Sequence, residues 1–195
     1  MELQPWIFNF NMELQEWIDG TFEETDTDYK IAGMNILYKE EKEYLKKGVR
    51  LLCEKIKPES VLEFGFGKGW TATEFQRNGV NRHVILEPNK ENYQMALEWK
   101  DNYDTDIEIL NIFSWQYDSS EAFDLVYDDR VPLTNESEAL HISKMEDIIS
   151  DDQWLSRNAG VKVNDIENID GHPIAFTVDG TDYVQYLVKG LYGNS

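Results

Sequence analysis

The densest cluster of chemically suggestive residues is the run Glu63-Phe64-Gly65-Phe66-Gly67-Lys68-Gly69, which follows the apolar pair Val61-Leu62. Glycines spaced in this way let a chain turn sharply and bring its backbone against a ligand. Glu87 stands twenty positions beyond Gly67, at the end of the next apolar run. An acidic side chain there can accept paired hydrogen bonds from two ribose hydroxyls. Together these features signal adenosyl binding; the plain alternative is an ordinary βαβ turn with an exposed glutamate. NAD is a rival ligand, because Gly67-Lys68-Gly69-Trp70-Thr71-Ala72 also satisfies the dinucleotide pattern. Against NAD stand Glu63 within the strand, the polar-aromatic step Ser114-Trp115, and the carboxylate pair Asp128-Asp129. The chain after Asp129 is also too short for a separate substrate domain.

Positioning these residues requires alternating strands and helices. Met34, Tyr38, Leu45, Val49, Leu52 and Ile56 fall at steps of three, four or seven, which predicts one amphipathic helix ending at Pro58. The one gap in its stripe falls on Glu41. A carboxylate facing inward there needs a partner; otherwise it pairs at the surface with Lys39, Lys42 or Lys46. Val61–Phe64 reads as a strand, Thr71–Gln76 as a helix, His83–Glu87 as a strand and Lys90–Trp99 as a helix. Ile107–Ile112 and Phe123–Tyr127 read as two further strands. This order predicts an α/β fold with a mainly parallel sheet covered by helices.

Beyond Asp129 the spacing predicts a helix over His141–Trp154, then short strands from Val161 to Val188 with turns at Asp170-Gly171 and Asp179-Gly180. Ile174, Phe176 and Val178 alternate before the second turn, and Val184, Tyr186 and Val188 alternate after it, so a C-terminal antiparallel hairpin is expected. That hairpin either completes the sheet at its edge or serves self-association in a homo-oligomer. Residues 1–33 lack a clean period and read as a partly helical extension, whose aromatics, among them Trp6, Phe8, Phe10, Trp17 and Phe22, fill core or pack over a pocket.

With 195 residues, 41% of them hydrophobic, the chain builds one sizeable core. A single domain over 1–195 is expected, with an extension at 1–33, a cofactor-binding core at 34–140 and a divergent C-terminal part at 141–195. The net charge of -20 arises from 38 acidic and 18 basic residues. It repels phosphates, so neither nucleic acid nor membrane is an expected partner; beyond that it reads as a strongly solvated surface or as a preference for a small cationic substrate, the partner expected here. Cys53 is the only cysteine, and the start of the chain shows no basic-then-apolar leader, so a cytoplasmic location is expected. His83, His141 and His172 have no zinc-ligand spacing, and no metal is expected.

Three stretches resemble guanidinoacetate N-methyltransferase and its arginine-methylating relatives: residues 61–67, residues 83–89, and Phe123 to Asp128 followed by Pro132-Leu133. The resemblance spans about residues 30 to 135, and Lys30 to Gly33 is similar to the stretch by which that family closes over its substrate. It implies a class I, Rossmann-like methyltransferase fold with S-adenosylmethionine as cofactor. The cofactor-binding residues it implies are Glu63, Gly65, Phe66, Gly67, Gly69, Glu87, Pro88, Ser114, Trp115 and Tyr127. Gly65 and Gly67 would line the methionine part, Glu87 would hold the ribose, and Trp115, which also reads as a core aromatic, would lie beside the adenine.

Catalysis is implied for Glu41 and Asp128, matching two carboxylates that grip a guanidino group. A guanidinium has a pKa above about 12 and no free lone pair, so one nitrogen must lose a proton before it can attack a sulfonium methyl. Asp128 also reads as a helix cap. Asp129 and Arg130 depart from the family's usual residues, and Arg130 is placed in sequence to neutralise Asp128. The function implied is S-adenosylmethionine-dependent N-methyl transfer to a small guanidino or amino compound. The alternatives are a cofactor-binding structural or interaction protein without transfer, and an NAD-binding oxidoreductase.

Overall fold

The computed structural model describes residues 14–149, 153–162, 174–178 and 181–189. A short helix, α1 (Leu14–Asp19), precedes three strands, β1 (Phe22–Glu24), β2 (Asp28–Ile31) and β3 (Met34–Tyr38), which form a small antiparallel sheet in that order. Ile31 pairs with Met34 across Ala32-Gly33, whose φ angles of 50° and 77° are the left-handed pair that a two-residue type I′ turn requires. The expected helix from Met34 is therefore corrected in its first turn: residues 34–38 pair with β2, and helix α2 runs only from Glu41 to Ile56. The reason lies in the spacing. A step of four residues returns to the same face in a strand as in a helix, so Met34 and Tyr38 fit either. Likewise the extension at 1–33 is helical only in α1 among its described residues, and Trp6, Phe8 and Phe10 lie outside them.

Helix α2 has a defined start and end. At its start the Glu41 carboxylate reaches back to accept the Tyr38 backbone N–H at 2.7 Å, tying the helix to the end of β3, and accepts the Tyr44 hydroxyl at 2.8 Å. At its end Lys57 is left-handed with φ 52°, its N–H bonds Cys53 O at 2.8 Å, and Pro58 prevents continuation.

The main sheet begins with β4 (Ser60–Phe64), followed by helix α3 (Trp70–Arg77), β5 (Arg82–Leu86), helix α4 (Lys90–Lys100) and β6 (Asp106–Leu110). A 3-10 turn at Ser114–Gln116 leads towards β7 (Leu125–Asp128), helix α5 (Asn135–Ile148) and β8 (Trp154–Lys162). Strands β9 (Ile174–Val178) and β10 (Thr181–Lys189) complete the order β6-β5-β4-β7-β8-β10-β9. The first five strands are parallel, and β10 runs antiparallel to both its neighbours. This is a Rossmann-like α/β sheet. The C-terminal hairpin adds to its edge: Val178 pairs with Thr181, leaving Asp179-Gly180 between them, whereas Asp170-Gly171 lies outside the described residues. The helix expected at His141–Trp154 lies earlier, and Trp154 opens β8 instead. Its start is set by a reciprocal cap in which the Ser137 N–H donates to Thr134 Oγ1 and the Thr134 N–H to Ser137 Oγ, both at 2.9 Å.

Strand parity divides the core. Leu62, Phe64, Val84, Leu86 and Val126 pack with Met145 and Ile149 of the α5 segment on one face. Val61, Leu125 and Tyr127 pack under Val49, Leu52 and Phe75 of α2 and α3 on the other. The chain builds outward from β4 through β5 and β6, then returns to build β7 and β8 on the other side. Such a reversal opens a crevice at the carboxyl ends of the central strands.

Candidate functional site

A cavity occupies that crevice. Its floor and one wall are Phe64 and Leu86 at the strand ends together with Gly65 and Gly67 of the following loop. Gly65 has φ 87°, and a Cβ there would stand 3.2 Å from the Asp129 carbonyl oxygen, so glycine is needed for both conformation and space. Gly69 shapes the loop from below: a Cβ on it would come within 2.6 Å of the Phe66 ring. That ring packs with Ala72, Ile85 and Ala96 and meets Trp99 edge-on at 5.5 Å. Gly69 and the Phe66 side chain therefore support the loop, while Gly65 and Gly67 face the cavity.

Glu87 follows β5 and lines the cavity with Pro88. It is buried, 3% exposed, so the alternative of an exposed glutamate at the strand end does not hold. Its carboxylate accepts the N–H groups of Phe66 at 3.0 Å and Asn89 at 2.9 Å and the Asn92 side-chain amide at 2.8 Å. Burial pushes its pKa above the ordinary carboxylate value, opposed by those hydrogen bonds. With the Gly67 N–H as a further donor, this one carboxylate, which has about four acceptor positions, ties the glycine loop to the start of α4.

The opposite wall comes from Phe113, Ser114 and Trp115 after β6. Trp115 stacks on Phe113 with ring centroids 4.4 Å apart and planes 7° from parallel, presenting flat apolar surface suited to a purine base. The N-terminal layer closes the cavity with Trp17, Ile31 and Ile36. It is pinned in place by the Asn89 amide, which donates to Trp17 O and Gly20 O at 2.7 Å each. Lys68 of the glycine loop lies 5.3 Å from the Phe22 ring centroid and 5.2 Å from that of Tyr29. The Trp17 indole N–H is buried with no acceptor among the described residues.

The last side of the cavity is the segment after β7, where Asp129, Arg130, Val131, Leu133 and Ser137 line it. Behind it runs a buried polar chain. Ser114 Oγ is hydrogen-bonded to His141 Nδ1 at 2.7 Å, and His141 Nε2 lies 3.3 Å from Asp128 Oδ2. Asp128 Oδ1 lies 3.2 Å from Arg130 Nε, and the Arg130 fork donates to Glu138 at 2.7 and 3.0 Å.

Of the residues singled out from sequence, the structure gathers Gly65, Gly67, Glu87, Pro88, Ser114 and Trp115 around one cavity. Six others stand apart from its lining, two of them, Phe66 and Gly69, as the loop's support. Glu63 is fully buried on the opposite face of β4, bonded by the Thr71 hydroxyl and 2.9 Å from His83 Nε2. Tyr127, its register partner on β7, is buried under α2 and α3, and burial pushes its phenol well above the ordinary value. Glu41 sits at the start of α2, and Asp128 sits in the polar chain. Sequence reasoning offered Trp17 as an aromatic over a pocket and Ile31 within the closing stretch, and missed Ile36, Asn92 and Ser137.

The family model for guanidinoacetate N-methyltransferase matches residues 11–164. No curated protein sequence matches the chain. Among solved structures, the fold is similar to N-methyltransferase NodS from Bradyrhizobium japonicum WM9 in complex with S-adenosyl-L-homocysteine. The TM-score is 0.58 at 11% identity, over 77% of this chain and 87% of that one. It is also similar to the putative methyltransferase yhhF from Escherichia coli, with TM-score 0.54 and 12% identity over 74% and 85% of the two chains. The putative methylase HI0767 from Haemophilus influenzae gives TM-score 0.50 and 16% identity over 75% and 97%. With a family match over most of its length and the sheet order, glycine loop and strand-end glutamate in place, the chain belongs to the guanidinoacetate N-methyltransferase family, on the Rossmann-like fold of S-adenosylmethionine-dependent methyltransferases.

Proposed function

We propose that the chain binds S-adenosylmethionine in this cavity and transfers its methyl group to a nitrogen of a small acceptor. The observation that carries the reading is the convergence of Gly65, Gly67, Glu87 and Trp115 on one cavity. In this reading the glycine loop takes the methionine part, Glu87 the ribose hydroxyls and the face of Trp115 the adenine, while the acceptor enters beside Asp129 and Arg130. The nitrogen lone pair forms the new bond to the methyl carbon. The carbon–sulfur bond breaks with its electron pair going to sulfur, and the nitrogen gives up a proton. Walls that exclude water and hold the nitrogen in line with the carbon–sulfur axis supply most of the rate enhancement.

The test has two arms. Calorimetric titration with S-adenosylmethionine, its demethylated product and NAD reads binding. A ligand at 100 times its dissociation constant adds about 2.7 kcal/mol to stability, so a thermal shift with the adenosyl ligands and none with NAD is expected. Labelled methyl transfer to a panel of amines and guanidino compounds reads turnover. A second reading, cofactor binding without transfer, is favoured by the engagement of both expected catalytic carboxylates elsewhere, Glu41 at its helix start and Asp128 with Arg130. Binding without any methylated product would select it.

A further inference from the structure

Asn92 stands in the first turn of α4, lines the cavity beside Glu87 and is 1% exposed. Its backbone N–H donates to Asn89 Oδ1 at 2.8 Å and its side-chain amide N–H to Glu87 Oε2 at 2.8 Å, so both ends of the residue are fixed. Its side-chain carbonyl is unspent: Asn92 Oδ1 is buried with no donor among the described residues. Glu87 sets the orientation of the amide, because turning the oxygen towards that carboxylate would place acceptor against acceptor. A buried acceptor without a donor is rare and costly in a folded protein, and this one belongs to a residue in the cavity wall.

Glu87 is in the opposite condition. Its carboxylate offers about four acceptor positions, and four N–H donors face them, from the backbone of Phe66, Gly67 and Asn89 and from the Asn92 amide. A ribose brings two hydroxyls. A hydroxyl that reaches Glu87 has to share with or displace one of those donors, whereas Asn92 Oδ1 can accept one without losing a bond. We propose that Asn92 Oδ1 is a ribose acceptor, so that Glu87 and Asn92 hold the two hydroxyls of the adenosyl ribose between them. The proposal rests on the cofactor-binding reading and adds a residue to it.

The two side chains act as a pair. By accepting the amide nitrogen, Glu87 turns the amide oxygen away from itself, and the ligand hydroxyl supplies the donor that the folded chain lacks. The same arrangement discriminates between sugars. A ligand without that hydroxyl leaves Asn92 Oδ1 unpaired, and a site built to bond a hydroxyl rejects the analogue lacking it for that reason.

The test is a thermodynamic cycle between ligand and protein. S-adenosylhomocysteine and its 2′-deoxy and 3′-deoxy analogues are titrated by calorimetry into wild type, Asn92→Ala and Asn92→Leu, with circular dichroism reporting the fold. Leucine nearly keeps the volume of asparagine, so it makes the same comparison should the alanine variant not fold. One of the two deoxy analogues should bind wild type roughly two- to tenfold more weakly than S-adenosylhomocysteine, the range of one hydrogen bond, and that penalty should vanish in a folded variant. A hydroxyl served by Glu87 alone behaves in the opposite way: removing Asn92 frees a position on the carboxylate, and the penalty stays or grows. Penalties that stay or grow for both analogues in a folded variant overturn the proposal, as does the absence of any penalty in wild type, and both results leave cofactor binding standing. No binding of S-adenosylhomocysteine to wild type refutes the cofactor-binding reading itself, and the proposal falls with it.

Discussion

Two alanine substitutions separate the two reasons why Gly65 must be glycine. Gly65→Ala places a methyl group on a backbone with φ 87° and 3.2 Å from the Asp129 carbonyl oxygen. Gly33→Ala does so at φ 77° with nothing within 4 Å. The left-handed conformation costs an L-residue roughly 1–2 kcal/mol, and this applies to both. Only at Gly65 must a neighbour also yield, and that neighbour is fixed, since the Asp129 N–H bonds Phe64 O at 3.2 Å and the side chain of the next residue, Arg130, is held between the Asp128 and Glu138 carboxylates. Forcing a methylene-sized group into a packed site costs about 1–3 kcal/mol more. For a domain of this size each kcal/mol lowers Tm by about 2–4 °C. Gly33→Ala should therefore lose about 2–8 °C and Gly65→Ala about 4–20 °C, with weaker S-adenosylhomocysteine binding in the second variant alone. Circular dichroism melts and calorimetry read both quantities. Equal losses of Tm with equal affinities would show that the approach of Asp129 to the glycine loop imposes nothing.

The Glu87 pKa is raised by burial in the folded chain, so between the ordinary carboxylate value and that raised one the folded state holds more protons than the unfolded one. Stability of the free protein should then fall as pH rises through this window, while S-adenosylhomocysteine affinity rises as the carboxylate ionises to accept ribose hydroxyls; melts and titrations at stepped pH, compared with Glu87→Ala, check both signs, and a flat affinity profile in wild type removes Glu87 as the ribose ligand. Glu63 and His83 form a fully buried pair, so Glu63→Leu or His83→Leu alone should destabilise by about 3–5 kcal/mol, and the double variant should recover much of that loss. If S-adenosylhomocysteine affinity in the folded double variant drops with Glu63 removed, Glu63 serves the cofactor and not only the sheet.

The cofactor half of the site was legible because it is local. Gly65, Gly67 and Glu87 lie on two consecutive strand ends, and strand, turn and helix signals around them agree. The N-terminal layer was not legible. Its strands are three to five residues long, too short for a period to declare itself, and the four-residue step from Met34 to Tyr38 fits both periods. Helix α5 was placed late because its start depends on the Thr134 and Ser137 cap, a signal weaker than an apolar stripe. The polar chain behind the cavity was hidden for another reason. Ser114, Asp128 and His141 come from three separate elements, and sequence shows charges without showing their partners.

Parity explains why Glu63, Tyr127 and Asp128 stand apart from the cavity lining. On β4 and β7 the register sets Glu63 beside Tyr127 and Phe64 beside Asp128, and alternate residues of a strand face opposite sides. Glu63 and Tyr127 therefore look into the layer beneath α2 and α3, however close they stand in sequence to the glycine loop. Phe64 and Asp128 look towards α5, where Phe64 meets the His141 ring edge-on at 5.4 Å and Asp128 meets the same imidazole. On that side Phe64 still reaches the cavity at the end of β4, whereas Asp128 is held by the helix side chain and stays behind its wall. Asp129 is the first position past the strand, where the alternation no longer binds and the chain bends over Gly65. Asp129 therefore lines the cavity together with Arg130, while Asp128, one residue earlier, meets Arg130 and His141 behind that wall.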